Sequence, residues 1–511
     1  MVHSMTLSVS FTYIIVVAAI SVTIPTPVVG QSYTAVLMSD LHYDPYYGTG
    51  KAYICSDQSV QRLYPYGIAG CDTSPSLLAS AIADAVTLAP TVAFVGGDWL
   101  RHQMDELPSS DIDSTLGVVA AEVNKLVDST TPIVNWALGN DDLVPEYSFN
   151  ISALLQLRDF GNVMVSNNLI TTAEKATFED CGHFFRDMTI MKIRIISLNT
   201  ILWSTKIVPS LDPTVADPCG QLAFLQSSLA DAVTAGRKVI ILGHIPPGLD
   251  VHGVMTDGFS QKQMFWASRF QTSFVSIVQQ FASSVTFMMF GHTHMLSFIA
   301  DTSTFPTIPI FIVPSISPVY SNNPSYLIAT IDSVTGNVQR LRHRVFSLKD
   351  SSWANYAELA TSFGGIDLWN VTELAHVAST FQHDGAIAST GFGKADFLTE
   401  YSSNGNLQSL FLSGGKCDGV CASVLFCSMK HVNFADIQEC STLLDEKTSR
   451  ETSPATILFT VLSVLVFFVG LGMMVHRRSE LSTTPPVGRE SAILSATYIM
   501  RTTSPVRKRH Q

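Results

Sequence analysis

Short runs of apolar and β-branched residues recur up to about residue 300, separated by longer stretches with helical spacing of apolar positions. The runs at 34–38, 92–95, 133–137, 190–197, 239–242 and 285–290 predict strands. The stretches 75–88, 117–127, 221–235 and 263–281 predict helices between them, which together make an α/β pattern. Two more strands are expected at 308–313 and 326–331. After them the chain reads as mostly helical through 353–363, 371–381 and 395–401. A cysteine-rich segment, 417–440, closes the folded part, and a polar stretch of 445–454 reads as a stalk.

The two ends carry a different signal. Residues 11–20 are apolar and are followed by Pro25, Pro27 and small residues, which reads as a cleaved signal peptide over 1–30. Residues 455–475 contain no charge, and at ~1.5 Å per residue they are long enough to cross a ~30 Å hydrocarbon core. His476, Arg477 and Arg478 follow directly, with Arg501, Arg507, Lys508 and Arg509 later. The positive-inside rule therefore predicts a type I membrane protein with a cytosolic, disordered tail at 476–511. The large N-terminal body is then expected in a lysosome, vacuole or other endomembrane lumen, or outside the cell.

Composition agrees with this. Apolar residues at 46% against 14% charged allow a sizeable core, and all 8 cysteines precede the expected span, as in an oxidising compartment. Asn150 and Asn370 begin glycosylation sequons. A formal net charge of −12 argues against a general nucleic-acid binder.

Five short polar signatures stand out, each just after an expected strand, where α/β folds place ligand groups. They are Asp40-Leu-His42, Gly97-Asp98, Gly139-Asn140-Asp141-Asp142, Gly243-His244 and Gly291-His292-Thr-His294. A single Asp-x-His or His-x-His is common in turns. Five of them in order assemble imidazoles and carboxylates suited to two divalent ions, zinc above all, and to hydrolysis of a phosphoester or phosphoanhydride.

This ordered set resembles the calcineurin-like metallophosphoesterase family. The resemblance implies a two-sheet β-sandwich flanked by helices, with catalytic residues 31–300. It implies that Asp40, His42 and His294 hold one ion, that Asn140, His244 and His292 hold the other, and that Asp98 bridges them. Asp40-Leu-His-Tyr-Asp-Pro45, Asp217-Pro-Cys-Gly-Gln-Leu222 and Asn322-Asn-Pro324 narrow it to acid sphingomyelinase and the acid sphingomyelinase-like phosphodiesterases. Residues 301–443 would be that branch's C-terminal region, a small helical disulfide-rich module in which Cys417–Cys421 and Cys427–Cys440 are paired. For Cys55, Cys71, Cys181 and Cys219 the sequence does not decide connectivity; Cys55–Cys71 and Cys181–Cys219 are the trial pairs.

One position departs from the family pattern. Asp141 stands where a histidine helps protonate the leaving group, and a carboxylate beside two cations is a poor proton donor. His102 matches a second active-site histidine of the sphingomyelinase-like enzymes and becomes the candidate general acid. Endopolyphosphatases are similar in sequence, lack the same histidine and share a stretch like Gly97 to His102, so that activity is the alternative. A membrane receptor retaining the fold without turnover is the alternative of another class. Asp40 follows the expected signal cleavage closely, which leaves no room for a saposin-like domain. A nucleotide or other phosphodiester is thus expected ahead of sphingomyelin.

Overall fold

The computed structural model describes residues 32–49, 58–126, 133–188, 191–320, 322–362, 365–379 and 420–451. Its strands are β1 (Ser32–Met38), β2 (Val92–Val95), β3 (Ile133–Trp136), β4 (Phe184–Met188), β5 (Ile193–Ser197), β6 (Lys238–Leu242), β7 (Val285–Phe290), β8 (Ser297–Ile299), β9 (Ile310–Ile312), β10 (Ser325–Asp332), β11 (Val338–Ser347) and β12 (Ser352–Glu358). They form two six-stranded sheets, ordered β12-β11-β10-β1-β2-β3 and β4-β5-β6-β7-β9-β8. β1, β2 and β3 run parallel in the first sheet, as do β5, β6, β7 and β9 in the second.

Side-chain alternation along each strand divides the core in two. Ala35 and Leu37 of β1, Phe94 of β2, Ile240 and Leu242 of β6, and Phe287 and Met289 of β7 pack together between the sheets. Their neighbours Val36, Met38, Val95, Ile241, Met288 and Phe290 face the other way, toward helices Pro75–Val86, Ser109–Asn124, Gln221–Thr234 and Ser268–Gln280. Both faces of these strands are therefore buried, which is why they read as continuous apolar runs. The mixed α/β architecture with two sheets is as expected.

The C-terminal half departs from the mostly helical expectation. The segment expected as a helix at 353–363 is mainly β12, and β11 precedes it; the two extend the sheet that contains β1. Their sequence is rich in charge because one face stays wet. Arg340 pairs with Glu358 across the two strands at 3.0 Å, and Arg344 reaches Asp84 at 2.6 Å. Trp353, the first residue of that segment, packs on Tyr326 and Phe346 and donates its indole N–H to Ser80 Oγ at 3.0 Å.

Helices Val371–Ser379, Val420–Lys430 and Phe434–Glu451 follow, the last one running into the segment read as a stalk. Cys427–Cys440 staples the final two helices together. Cys181–Cys219 ties the helix before β4 to the turn before Gln221. Cys71 is disulfide-bonded as well, while Cys55, Cys417 and the side chain of Cys421 lie outside the described part. Among the described residues no helix is long and apolar enough to cross a membrane. The expected signal peptide at 1–30, span at 455–475 and tail at 476–511 lie outside the described residues.

Candidate metal centre

All seven expected ligands lie just beyond strand ends. Asp40 and His42 follow β1, Asp98 follows β2, Asn140 follows β3, His244 follows β6, and His292 and His294 follow β7. Five of them have left-handed backbone: Asp40 (φ 51°), His42 (φ 37°), Asp98 (φ 52°), His292 (φ 71°) and His294 (φ 60°). Such conformations cost about 1–3 kcal/mol each and persist only where the surroundings enforce them. Here the strand-end loops hold one another: Asp40 N–H donates to Gly97 O at 3.0 Å, His42 N–H to Asp98 O at 2.9 Å, and Gly291 N–H to His244 O at 2.9 Å. Two glycines are required by close approach. A Cβ at Gly139 would collide with the Asp98 carboxylate, and one at Gly291 with Ser39 Oγ and the Asp40 carboxylate.

The side chains converge from both sheets. Oδ2 of Asp98 lies 2.9 Å from Nε2 of His244 and 3.4 Å from Nε2 of His42. Nε2 of His42 is 3.1 Å from Nε2 of His294, which is in turn 3.4 Å from Oδ1 of Asp40. Nε2 of His244 is 3.1 Å from Oδ1 of Asn140. His292 belongs to a group with Asp98 and His244 whose donor atoms all lie within 4.8 Å, and its backbone N–H binds both oxygens of Asp40 at 3.0 and 3.1 Å.

Neighbouring groups set the state of these donors. Nδ1 of His42 faces Leu100 O at 3.1 Å, so it carries its proton there and turns an Nε2 lone pair inward. Nδ1 of His244 faces Gly96 O at 2.8 Å, and although burial opposes its charge, the carboxylates of Asp98 and Asp40 outweigh it and hold its pKa up at about 10. Burial holds His42, His292 and His294 well below the usual imidazole pKa, leaving them neutral, as metal ligation needs. Burial also pushes Asp40 up to about 7, against the pull of His244, a penalty that a nearby cation relieves. Facing lone pairs, neutral imidazoles and buried carboxylates form a donor set that fits divalent ions.

No family model matches the chain. It is 33% identical over 283 residues to sphingomyelinase phosphodiesterase D of Dictyostelium discoideum, a match covering 53% of this chain and 60% of that protein. It is 25% identical over 432 residues to human acid sphingomyelinase-like phosphodiesterase 3b, covering 79% of this chain and 89% of the relative. It is 22% identical over 446 residues to the cyclic GMP-AMP phosphodiesterase SMPDL3A of Rattus norvegicus, covering 81% and 92%. Its curated relatives are acid sphingomyelinase-like phosphodiesterases.

Like the seven expected ligands, the two expected catalytic positions, His102 and Asp141, come to the same place. The ring of His102 stacks on that of His42 with centroids 4.0 Å apart. Its Nδ1 lies 2.9 Å from Asp72 Oδ1, and its Nε2 lies 3.8 Å from Asp141 Oδ2. Burial opposes its charge, but the carboxylates of Asp72 and then Asp141 outweigh it and hold the pKa up at about 10. Asp141 is itself raised, chiefly by burial, with the His102 charge opposing. Its backbone N–H donates to Asp98 Oδ1 at 2.9 Å, so it helps hold the central carboxylate.

Several supporting residues were given no role by the sequence. Asp72 grips His102 from a loop thirty positions away. Asp142 accepts the backbone N–H groups of Asp98 (3.1 Å), Trp99 (2.7 Å), Leu100 (3.3 Å) and Gly139 (2.7 Å), clamping two ligand loops together. Glu146 accepts from Asn140 Nδ2 at 3.0 Å, which turns Asn140 Oδ1 inward. Tyr147 OH lies 3.4 Å from Nε2 of His292. A cavity of about 540 Å³ opens over the cluster, lined by Asp98, His102, Asn140, Tyr147, Lys206, Asp250, Phe265 and Tyr320 among others.

Proposed function

We propose that this chain is a two-metal phosphoric ester hydrolase, a phosphodiesterase acting on a nucleotide or another soluble phosphodiester. The observation that carries the reading is Asp98, whose single Oδ2 faces His244 on one side and His42 on the other. Asp40, His42 and His294 would hold one ion, Asn140, His244 and His292 the second, and Asp98 both. Zinc suits this mixture of imidazole and carboxylate. Two divalent ions there would supply Lewis-acid charge to the phosphoryl oxygens and lower the pKa of an attacking water.

The chain's own residues account for the rest of the reaction. His102, protonated and turned by Asp72, stands beside the cluster to give its Nε2 proton to the leaving oxygen. Asp141 braces Asp98 and offers negative charge near His102. Relatives named for cyclic GMP-AMP support a nucleotide substrate. The rival endopolyphosphatase reading rested on the stretch Gly97 to His102 and on Asp141 standing where a histidine is expected. Arg101 of that stretch is buried beside Tyr46 and Asp44 and is not among the described residues lining the cavity.

The compartment rests on sequence: the signal-like start, the apolar stretch at 455–475 and the following basic residues favour a type I protein with a lumenal or extracellular catalytic body. The exposure of Asn150 and Asn370 is compatible with glycosylation there. The test of function is a substrate panel of sphingomyelin, ATP, cyclic dinucleotide, polyphosphate and a nitrophenyl phosphodiester, each with zinc and with chelator. Zinc-dependent cleavage of the nucleotides and the nitrophenyl diester is expected. Turnover of polyphosphate alone would overturn the phosphodiesterase reading.

A further inference from the structure

The cavity over the metal cluster is acidic apart from its histidines. Asp98, Asp141, Glu146 and Asp250 line it, and Lys206 is the one Lys or Arg among its described lining residues. Such a cavity repels an anionic substrate everywhere the ions and His102 do not reach, which makes the position of Lys206 informative.

That position is fixed by backbone pairing. The loop after β5 is zipped to the loop after β3, with Phe149 N–H donating to Val208 O at 2.7 Å and Val208 N–H to Tyr147 O at 3.0 Å. On its other side Thr205 N–H donates to Phe265 O at 2.9 Å and Lys206 N–H to Ser204 Oγ at 3.1 Å. The Lys206 ammonium consequently lies 5.9 Å from the centre of the Tyr147 ring, whose hydroxyl reaches His292. One aromatic ring separates the cation from a metal-ligating histidine.

The ammonium also has donors to spare. Its carboxylate neighbour, Asp250 Oδ2, is 3.7 Å away, beyond the ~2.7–2.9 Å of a charge-assisted hydrogen bond. The other oxygen, Asp250 Oδ1, accepts from Gly253 N–H at 2.9 Å and caps the helix Val251–Asp257. The Lys206 side chain is 57% exposed, so it reaches into the cavity without being locked into an ion pair.

We propose that Lys206 is a specificity-determining residue that recognises a second anionic phosphoryl group of the substrate while the scissile phosphate lies at the Asp98 cluster. The preferred substrates are then nucleoside polyphosphates or phosphodiesters with a further phosphate, and a cationic headgroup is disfavoured. This rests on the hydrolase reading given above.

The test compares kcat/KM on ATP and on bis(4-nitrophenyl) phosphate, which has a single phosphoryl group, for the zinc-loaded full chain and for K206A, K206E and K206R. K206A is expected to lower the ATP to nitrophenyl ratio about tenfold, the loss of one charge-assisted hydrogen bond. K206E should lower it further and K206R should restore most of it, with the change carried by KM for ATP. An unchanged ratio, or an equal fall on both substrates, overturns the role of Lys206. Absence of zinc-dependent turnover of either substrate by the unsubstituted chain overturns the hydrolase reading, and this inference with it.

Discussion

Asp72 holds His102 at two points: its Oδ1 lies 2.9 Å from the ring Nδ1, and its Oδ2 accepts the His102 backbone N–H at 3.1 Å. The carboxylate therefore fixes both the loop and the ring, and leaves Nε2 as the atom turned toward the substrate cavity. Removing the ring is expected to lower turnover by roughly 10²–10⁴-fold with poor leaving groups and by less with nitrophenolate, which departs without a proton. D72N should show the same leaving-group dependence in weaker form, because the ring stays but loses its anchor. Equal losses on good and poor leaving groups in H102A would reject the proton-donor role.

The clamp made by Asp142 gives a second expectation. Four backbone N–H groups converge on this one buried carboxylate, and truncation leaves them unpaired. D142A is expected to cost about 1–3 kcal/mol of stability, from buried N–H groups left without an acceptor. It should also weaken metal retention, since Asp98 and Asn140 lie in the two loops it joins. Denaturant melts with and without added zinc measure both, and a variant with unaltered stability and metal content would show the clamp to be dispensable.

The same contrast explains what the sequence reveals and what it hides. Strands β1, β2, β6 and β7 are buried on both faces, so their composition alone marks them, and the ligands sit beside them in short signatures. Asp72 and Lys206 matter only because distant loops meet, and no local spacing encodes that meeting; Glu146 lies six residues after Asn140 outside any signature. β11 and β12 escaped because their wet faces carry Arg340, Arg342, Arg344 and Glu358, which break the apolar run that marks a strand. Asp142 stood inside the third signature yet its role went unread, since three of its four partners are backbone groups beyond another strand end.

A third expectation concerns acid stability, away from the metal cluster. Glu174 takes a two-pronged contact from Arg186, with Nε to Oε1 at 2.7 Å and Nη2 to Oε2 at 2.9 Å, while Arg186 also donates to Val134 O and Leu169 O. Burial opposes the Glu174 charge, but the Arg186 contact outweighs it and holds the pKa below its ordinary 4.5. A carboxyl depressed on folding stabilises the fold above its unfolded pKa and loses that contribution as pH falls through the folded value. E174Q should therefore be less stable than the unsubstituted chain by about 1–3 kcal/mol at neutral pH. The gap should close as pH drops below 4.5; a gap independent of pH would contradict the ion-pair account.

The central claim is that Asp98 joins two metal ions in one site, and metal content measured by mass spectrometry on the purified chain tests it most directly. The account predicts close to two divalent ions per chain. It further predicts that D98N loses at least one of them together with hydrolysis of a nitrophenyl phosphodiester. A chain that hydrolyses phosphodiesters at full rate after chelation, with no stoichiometric metal, or a D98N variant that keeps both ions and its activity, would contradict it.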